Sequence, residues 1–139
     1  MTADDLPALF AEGWALPKPD AFLGFFVPLI HPEARFARPL LPVAVGRIEI
    51  DRMFRRLFRL PPDLTAVPVL HALRANVVFI ESECEVVLGG RTVAFSVCDR
   101  FAIQDRLIVE RRSYLDPLPV ALATLRRPRS WARLMQLVS

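Results

Sequence analysis

The sequence predicts an α+β domain, and three observations carry that prediction. Apolar residues in the first 60 positions recur at helical spacing, interrupted by prolines. From Leu64 to Pro117 they alternate with period two. Turn residues fall between the alternating runs, so consecutive strands are antiparallel hairpins rather than βαβ units. The chain has 139 residues, 53% hydrophobic and 24% charged. That is enough for one real core and too little for two ordinary domains. No apolar run approaches the roughly 20 residues of a membrane span. The start, MTADDLPALF, has no basic region before its apolar residues, so a signal peptide is not expected.

The helices come first. Asp4 or Asp5 is placed to cap a helix through Leu6, Leu9, Phe10 and Trp14, weakened by Gly13 and ended by Pro17-Lys18-Pro19. Asp20 is placed to cap a second, Ala21 to Val27, that offers Phe22, Phe25 and Phe26 for burial. Pro28 and Pro32 stop it and leave His31 in a loop or at a helix end. Ala34 to Leu40 reads as a short extended piece before the turn Pro39 to Pro42. Gly46 precedes a third helix, Arg47 to Leu60, whose apolar face is Ile50, Met53, Phe54, Leu57 and Phe58. Its other face carries Arg47, Arg52, Arg55, Arg56 and Arg59, a solvated face rather than a phosphate stripe.

The strands follow. Leu64 to Leu73 and Asn76 to Leu88 are joined by a tight turn, and Pro68 assigns the former to an edge or a bulge. In the second strand Val78, Ile80, Ser82, Cys84 and Val86 share the inward face, while Glu81, Glu83 and Glu85 face water or a partner chain. Gly89-Gly90 turns the chain into Arg91 to Ile103, where Val93, Phe95, Val97, Asp99, Phe101 and Ile103 point inward. Asp99 is thus a carboxylate inside an apolar stripe. In the last strand Leu107, Val109, Arg111, Ser113 and Leu115 form the more apolar, inward set. A three-residue loop, Gln104-Asp105-Arg106, pairs Ile103 with Leu107 and therefore Asp99 with Arg111. After Pro117 come a helix from Val120 to Arg126 and another from Trp131 to Val138.

Composition removes several function classes. Cys84 and Cys98 lie on opposite strand faces, so no disulfide is expected, and a reducing, cytoplasmic location fits. Cysteines and histidines are too few and scattered for a zinc site. Net charge is +3, but the arginines are dispersed and no nucleic-acid motif accompanies them. No phosphate loop, dinucleotide fingerprint, nucleophile elbow or zinc helix is present.

The segment from Gly46-Arg47 to Leu57-Phe58, the run DRFAIQDRLIVERRSYLDP and its ending Tyr114-Leu115-Asp116-Pro117 carry a resemblance. They resemble the nuclear transport factor 2-like superfamily, which includes SnoaL-like polyketide cyclases, ketosteroid isomerases and limonene epoxide hydrolases. The resemblance covers roughly residues 5 to 117. It implies a cone-shaped, curved, mostly antiparallel sheet with the N-terminal helices packed on its concave face. It also implies one SnoaL-like domain over residues 1–139, with a helical tail from about 118, and a homodimer.

The chemistries of that superfamily transfer unevenly. The Arg-x-Asp of limonene epoxide hydrolases falls on Ser82-Glu83-Cys84, their further Asp on Ser113, and their water-holding Tyr and Asn on Phe36 and Arg38. None is retained. Ketosteroid isomerases use a protonated Asp as oxyanion donor, which matches Asp99, and a second Asp as base, which falls on Arg38. An arginine beside Asp99 favours its charged form, so that mechanism is not expected either.

What the residues support is a cavity with rearranged polar groups. Its expected lining is Trp14, Phe26, Phe36, Phe54, Leu57, Phe58, Val86, Val97, Phe101 and Leu115, with Arg38, Ser82, Cys84, Asp99, Arg111 and Ser113 projecting inward. Such a pocket suits a small apolar ligand or substrate with one or two oxygens, and no cofactor, metal, nucleic acid or membrane is called for. Asp99 and Arg111 are the expected catalytic pair of a cyclase, isomerase or hydrolase. The alternatives are a binding protein without catalysis and an interaction module that dimerises through the outer sheet face.

Overall fold

The computed structural model describes residues 1–59, 63–116 and 118–126. The helices are α1 (Leu6–Trp14), α2 (Asp20–Phe26), α3 (Gly46–Leu57) and α4 (Leu118–Arg126). The strands are β1 (Ile30–Ala37), β2 (Ala44–Val45), β3 (Thr65–Arg74), β4 (Val77–Leu88), β5 (Arg91–Gln104) and β6 (Leu107–Leu115). They form one curved, unclosed sheet in the order β2-β1-β6-β5-β4-β3. All neighbours are antiparallel except β1 and β6. The mixed α+β class is the one expected. The tail helix expected over Trp131 to Val138 lies outside the described residues.

The apolar faces explain the layering. Leu6 and Phe10 of α1, Phe22 and Phe26 of α2, and Ile50, Met53 and Phe54 of α3 are buried in one cluster with Val78, Ile80, Phe101 and Ile108 of the sheet. Phe22 makes ring contacts with Trp14, Phe26, Phe54 and Phe58 at centroid separations of 4.7–5.3 Å. Such tilted and edge-on aromatic pairs add to area burial. Gly13, expected to weaken α1, lies inside it and is buried in this packing, where a Cβ would collide with the Phe26 ring.

Strand phase follows the alternation. Ser82 and Asp99 are the buried polar residues of the sheet, at 1% and 4% exposure. Glu83 and Glu85 are exposed. Pro68 sits both on the edge strand β3 and beside a bulge, between Pro68 and Leu70. Gly89 and Gly90, both at positive φ, make the β4–β5 turn. Cys84 is buried, Cys98 is half-buried, and both are free thiols.

The β5–β6 hairpin corrects the expected register. Its loop has two residues, Asp105 and Arg106, at φ 52° and 66°, and Gln104 pairs with Leu107. Two left-handed residues give a primed turn, whose twist matches that of the strands. Ile103 then pairs with Ile108, Ala102 with Glu110, and Val109 is the extra residue of a bulge. The bulge moves the frame by one. Before it Ile108 is the buried residue, not Leu107 or Val109; after it Arg111, Ser113 and Leu115 face inward as expected. Asp99 is opposite Ser113, and Arg111 is opposite Phe101.

Other boundaries move as well. The Asp5 carboxylate accepts from the Thr2 backbone N–H at 2.7 Å and makes no side-chain cap on α1. That bond lowers its pKa. Asp20 is the first residue of α2 and does not cap it; its carboxylate accepts from Arg55 at 2.7 Å. His31 lies within β1 rather than a loop, and its Nδ1 accepts from the Glu33 N–H at 3.0 Å. Strand β1 starts at Ile30, ahead of the expected Ala34, because it runs parallel to β6 from the Ile30–Ile108 pair onward. Gly46 opens α3 at φ 87°. The Arg47 Nε donates to the Ile30 carbonyl at 2.6 Å, tying α3 to the start of β1.

Candidate functional site

The inward residues of β4, β5 and β6 form the floor of a cavity, and α1 and α3 form its walls. Ser82 and Cys84 come from β4, Phe95, Val97 and Asp99 from β5, and Arg111, Ser113 and Leu115 from β6. Alternation at period two brings all eight to one sheet face. Phe10 and Trp14 of α1, and Met53, Phe54 and Leu57 of α3, face them. Arg38 and Pro39, just beyond β1, complete one side, with Leu64 and Ala66 on another. The cavity volume is about 90 Å³. A smaller space of about 30 Å³, walled by Phe26, Phe36 and Phe101 among others, lies beside it and shares Phe10, Trp14, Phe54 and Arg111.

Asp99 is the polar centre. Its Oδ1 accepts from Arg111 Nε at 3.0 Å and from the Ser113 hydroxyl. The Asp99 side chain is 5% exposed and that of Arg111 15%. The expected pair therefore forms even though the register is offset by two residues. Arg111 reaches diagonally across the strands, and Ser113 takes the directly opposed place. The Arg111 guanidinium lies 5.5 Å from the Phe36 ring and 5.6 Å from Phe54, in cation–π contact with both. Aromatic walls and a carboxylate together fix one orientation of the arginine.

The other polar groups differ in state. Burial first, then the Asp99 and Glu83 charges, push the Cys84 thiol up to about 12. It is a neutral thiol near pH 7 and not a poised nucleophile. The Ser82 hydroxyl is buried without a hydrogen-bond partner among the described residues. So are Nε and Nη1 of Arg38. Burial, then the nearby Arg56 and Arg111 charges, lower the Arg38 pKa. Among the described residues no group of His, Cys, Asp and Glu could hold a metal ion.

Of the residues expected at the site, Trp14, Arg38, Phe54, Leu57, Ser82, Cys84, Val97, Asp99, Arg111, Ser113 and Leu115 border the larger cavity. Phe26, Phe36 and Phe101 border the smaller. Phe58 and Val86 border neither and are packed at 3% and 1% exposure. Phe58 is turned into the aromatic cluster and stacks on Phe54 at 6.2 Å. Phe10, Pro39, Met53, Leu64, Ala66 and Phe95 line the cavity without having been singled out. Phe95 shares the inward phase of Asp99, and Met53 the apolar face of Phe54, so the same periodicities point to both.

A SnoaL-like domain model matches residues 8–111, most of the chain. The chain belongs to the SnoaL-like domain family. Solved structures agree on the fold. A protein assigned as a SnoaL-like polyketide cyclase from Jannaschia sp. CCS1 superposes with a TM-score of 0.74 at 21% identity, covering 86% of this chain and 88% of that one. IdmH, assigned as a polyketide cyclase from Streptomyces antibioticus, gives 0.72 at 15% identity over 88% and 98%. An LEH-like epoxide hydrolase from M. tuberculosis gives 0.68 at 18% identity over 96% of each chain. No curated protein matches the sequence. At these identities the SnoaL-like fold is shared, and function rests on the site.

Proposed function

We propose that this SnoaL-like protein binds a small, mostly apolar molecule in the sheet cavity and acts on it as a cyclase, isomerase or hydrolase, with Asp99 as the acid/base. One observation carries this reading: a buried carboxylate borders an apolar cavity and is held there by Arg111 and Ser113. Both bonds fall on Oδ1, so Oδ2 carries neither of them. A fixed, mostly buried carboxylate is suited to take a proton from carbon or from a held water, and to return it. Arg111 supplies positive charge where an oxyanion develops. The names of the structural neighbours, polyketide cyclase and epoxide hydrolase, belong to the same broad kind of chemistry.

The test is turnover on a panel of polyketide-like ketones and small epoxides, by wild type and Asp99→Asn. The proposal expects conversion by the wild type and none by the variant, with ligand still bound. A folded Asp99→Asn protein that turns substrate over unchanged rules it out.

The second reading, a non-catalytic or dimeric interaction module, is favoured by the outer sheet face. Val67, Leu70, Phe79 and Tyr114 are exposed at 60%, 64%, 39% and 47%, among Glu83, Glu85 and the Arg100–Glu110 pair. An apolar patch with charges of both signs suits a second copy of this chain across a two-fold axis. Sedimentation should show a dimer at tens of micromolar, an order-of-magnitude threshold for a specific interface; monomer alone contradicts it. Two free thiols suit a reducing compartment such as the cytoplasm. Among the described residues no helix is long and apolar enough to cross a membrane.

A further inference from the structure

We infer that the molecule taken up by the cavity is an organic carboxylate, an apolar body with one anionic head, and that Arg38 holds the head. The inference rests on the cavity-binding reading above and adds the ligand's chemical class. Two arginines border the cavity, and their states are opposite. Arg111 has a carboxylate partner and two aromatic faces. Arg38 has Nε and Nη1 buried with no acceptor among the described residues. Arg38 as a whole is half-buried, but two buried donors without an acceptor are costly, because they have lost water and gained nothing.

Among the described residues, the carboxylates that line the cavity and the groove beside Arg38 accept from other donors. Asp99 accepts from Arg111 and Ser113. Glu49, in the groove beside Arg38, accepts from the Val45 N–H at 2.7 Å. The charges that act on Arg38 are Arg56 and Arg111, both positive. At the cavity itself one carboxylate therefore stands against two guanidinium groups, leaving a single positive charge to be met.

Chemistry selects the class. Nε and Nη1 are the two unpartnered donors, and a guanidinium donor meets a carboxylate oxygen in a charge-assisted bond. The groove past Arg38 has a volume of about 250 Å³ and is lined by Arg38, Arg52, Arg56, Glu49 and Met53 among others. It shares Arg38 and Met53 with the apolar cavity. An apolar body in the cavity thus meets a basic groove at its Arg38 end. Ser82 adds a second unpartnered buried polar group to the floor, placed for another ligand oxygen.

The experiment uses the whole chain and probes that share a phenyl-propyl frame: 3-phenylpropionate, 3-phenylpropanol and 3-phenylpropyl phosphate, with acetate as the smallest carboxylate. Calorimetric titration at constant ionic strength gives affinities. The Nε–H resonance of Arg38, assigned by its loss in Arg38→Gln, reports the contact itself. We expect 3-phenylpropionate to bind about tenfold or more tightly than the alcohol, as a charge-assisted bond predicts. The Arg38 signal should shift with both carboxylates, and Arg38→Gln should make acid and alcohol equivalent without weakening the alcohol. Equal binding of acid and alcohol by the wild type overturns the inference while leaving the cavity reading intact. An Arg38 resonance unmoved by either carboxylate overturns it too. Tighter binding of 3-phenylpropyl phosphate assigns the head to a phosphate ester and rejects the carboxylate. The acid/base role of Asp99 is read separately, from the Asp99→Asn turnover, so the two claims fail independently.

Discussion

Arg111 and Arg38 border the same cavity and differ in almost everything else. Arg111 is fixed by an Asp99 bond at 3.0 Å and by the Phe36 and Phe54 rings. Arg38 has two buried donor atoms and no acceptor among the described residues. The difference shows how a site can be assembled and open at once. The Asp99–Arg111–Ser113 cluster is complete before any ligand arrives, which is what preorganised acid/base chemistry requires. The Arg38 side is incomplete, with two buried donors that a ligand can complete.

The largest expected effect comes from breaking the complete side. Asp99→Asn removes the counter-ion of a mostly buried arginine and should cost about 3 kcal/mol of stability, measured by urea unfolding, along with all turnover. Replacing Asp99 and Arg111 together by Leu should recover much of that stability but none of the turnover, since no buried charge is left alone. A double variant no more stable than Asp99→Asn would mean that the loss comes from shape rather than charge.

A smaller effect concerns Cys84, which feels the Asp99 charge directly. Its thiol is raised from the ordinary 9.0 to about 12. Between those values the unfolded chain ionises this thiol and the folded chain does not. The folded state then holds the extra proton, so stability is full below pH 9.0 and falls as pH rises toward about 12. Cys84→Ala should flatten that alkaline loss. In a Cys98→Ser background, Asp99→Asn should bring Cys84 alkylation to lower pH, whereas Arg38→Met should not. Alkylation profiles that coincide for all three proteins would show that the Asp99 charge does not reach Cys84.

The smallest effect belongs to the outer face. Arg100 and Glu110 pair at 2.8 Å with side chains 35% and 46% exposed. Water screens such a pair, so Glu110→Gln should change stability by about 0.5 kcal/mol or less, and less still in high salt. A loss as large as that of Asp99→Asn would mean the outer face is covered, as in a dimer.

Much of this contrast was legible in the sequence, and the rest was hidden for identifiable reasons. The inward phase of Asp99, Ser82 and Cys84 follows from alternation, because strand side chains have a strict period of two. The partnership of Asp99 with Arg111 was also legible. Its geometry was not, because the loop length at Asp105-Arg106 and the bulge at Val109 depend on turn conformation, which alternation does not encode. Ile108 was misplaced for the same reason. Phe58 follows the apolar periodicity of α3 one residue past its end, but which apolar residues border a void is decided by neighbouring helices. Nothing in Arg38's surroundings in the chain, RFARPL, shows that its donors lack an acceptor; that requires the positions of Asp99 and Glu49 in space.

The most direct test compares the two arginines without any ligand. Arg111→Met and Arg38→Met are made separately, and each is unfolded in urea beside the wild type. Arg111→Met leaves Asp99 buried without its cation, and the expected loss is about 3 kcal/mol. Arg38→Met removes a half-buried guanidinium with two unpartnered buried donors, so it should be neutral or more stable than the wild type. Equal losses in the two variants, or a large loss confined to Arg38→Met, would contradict the account.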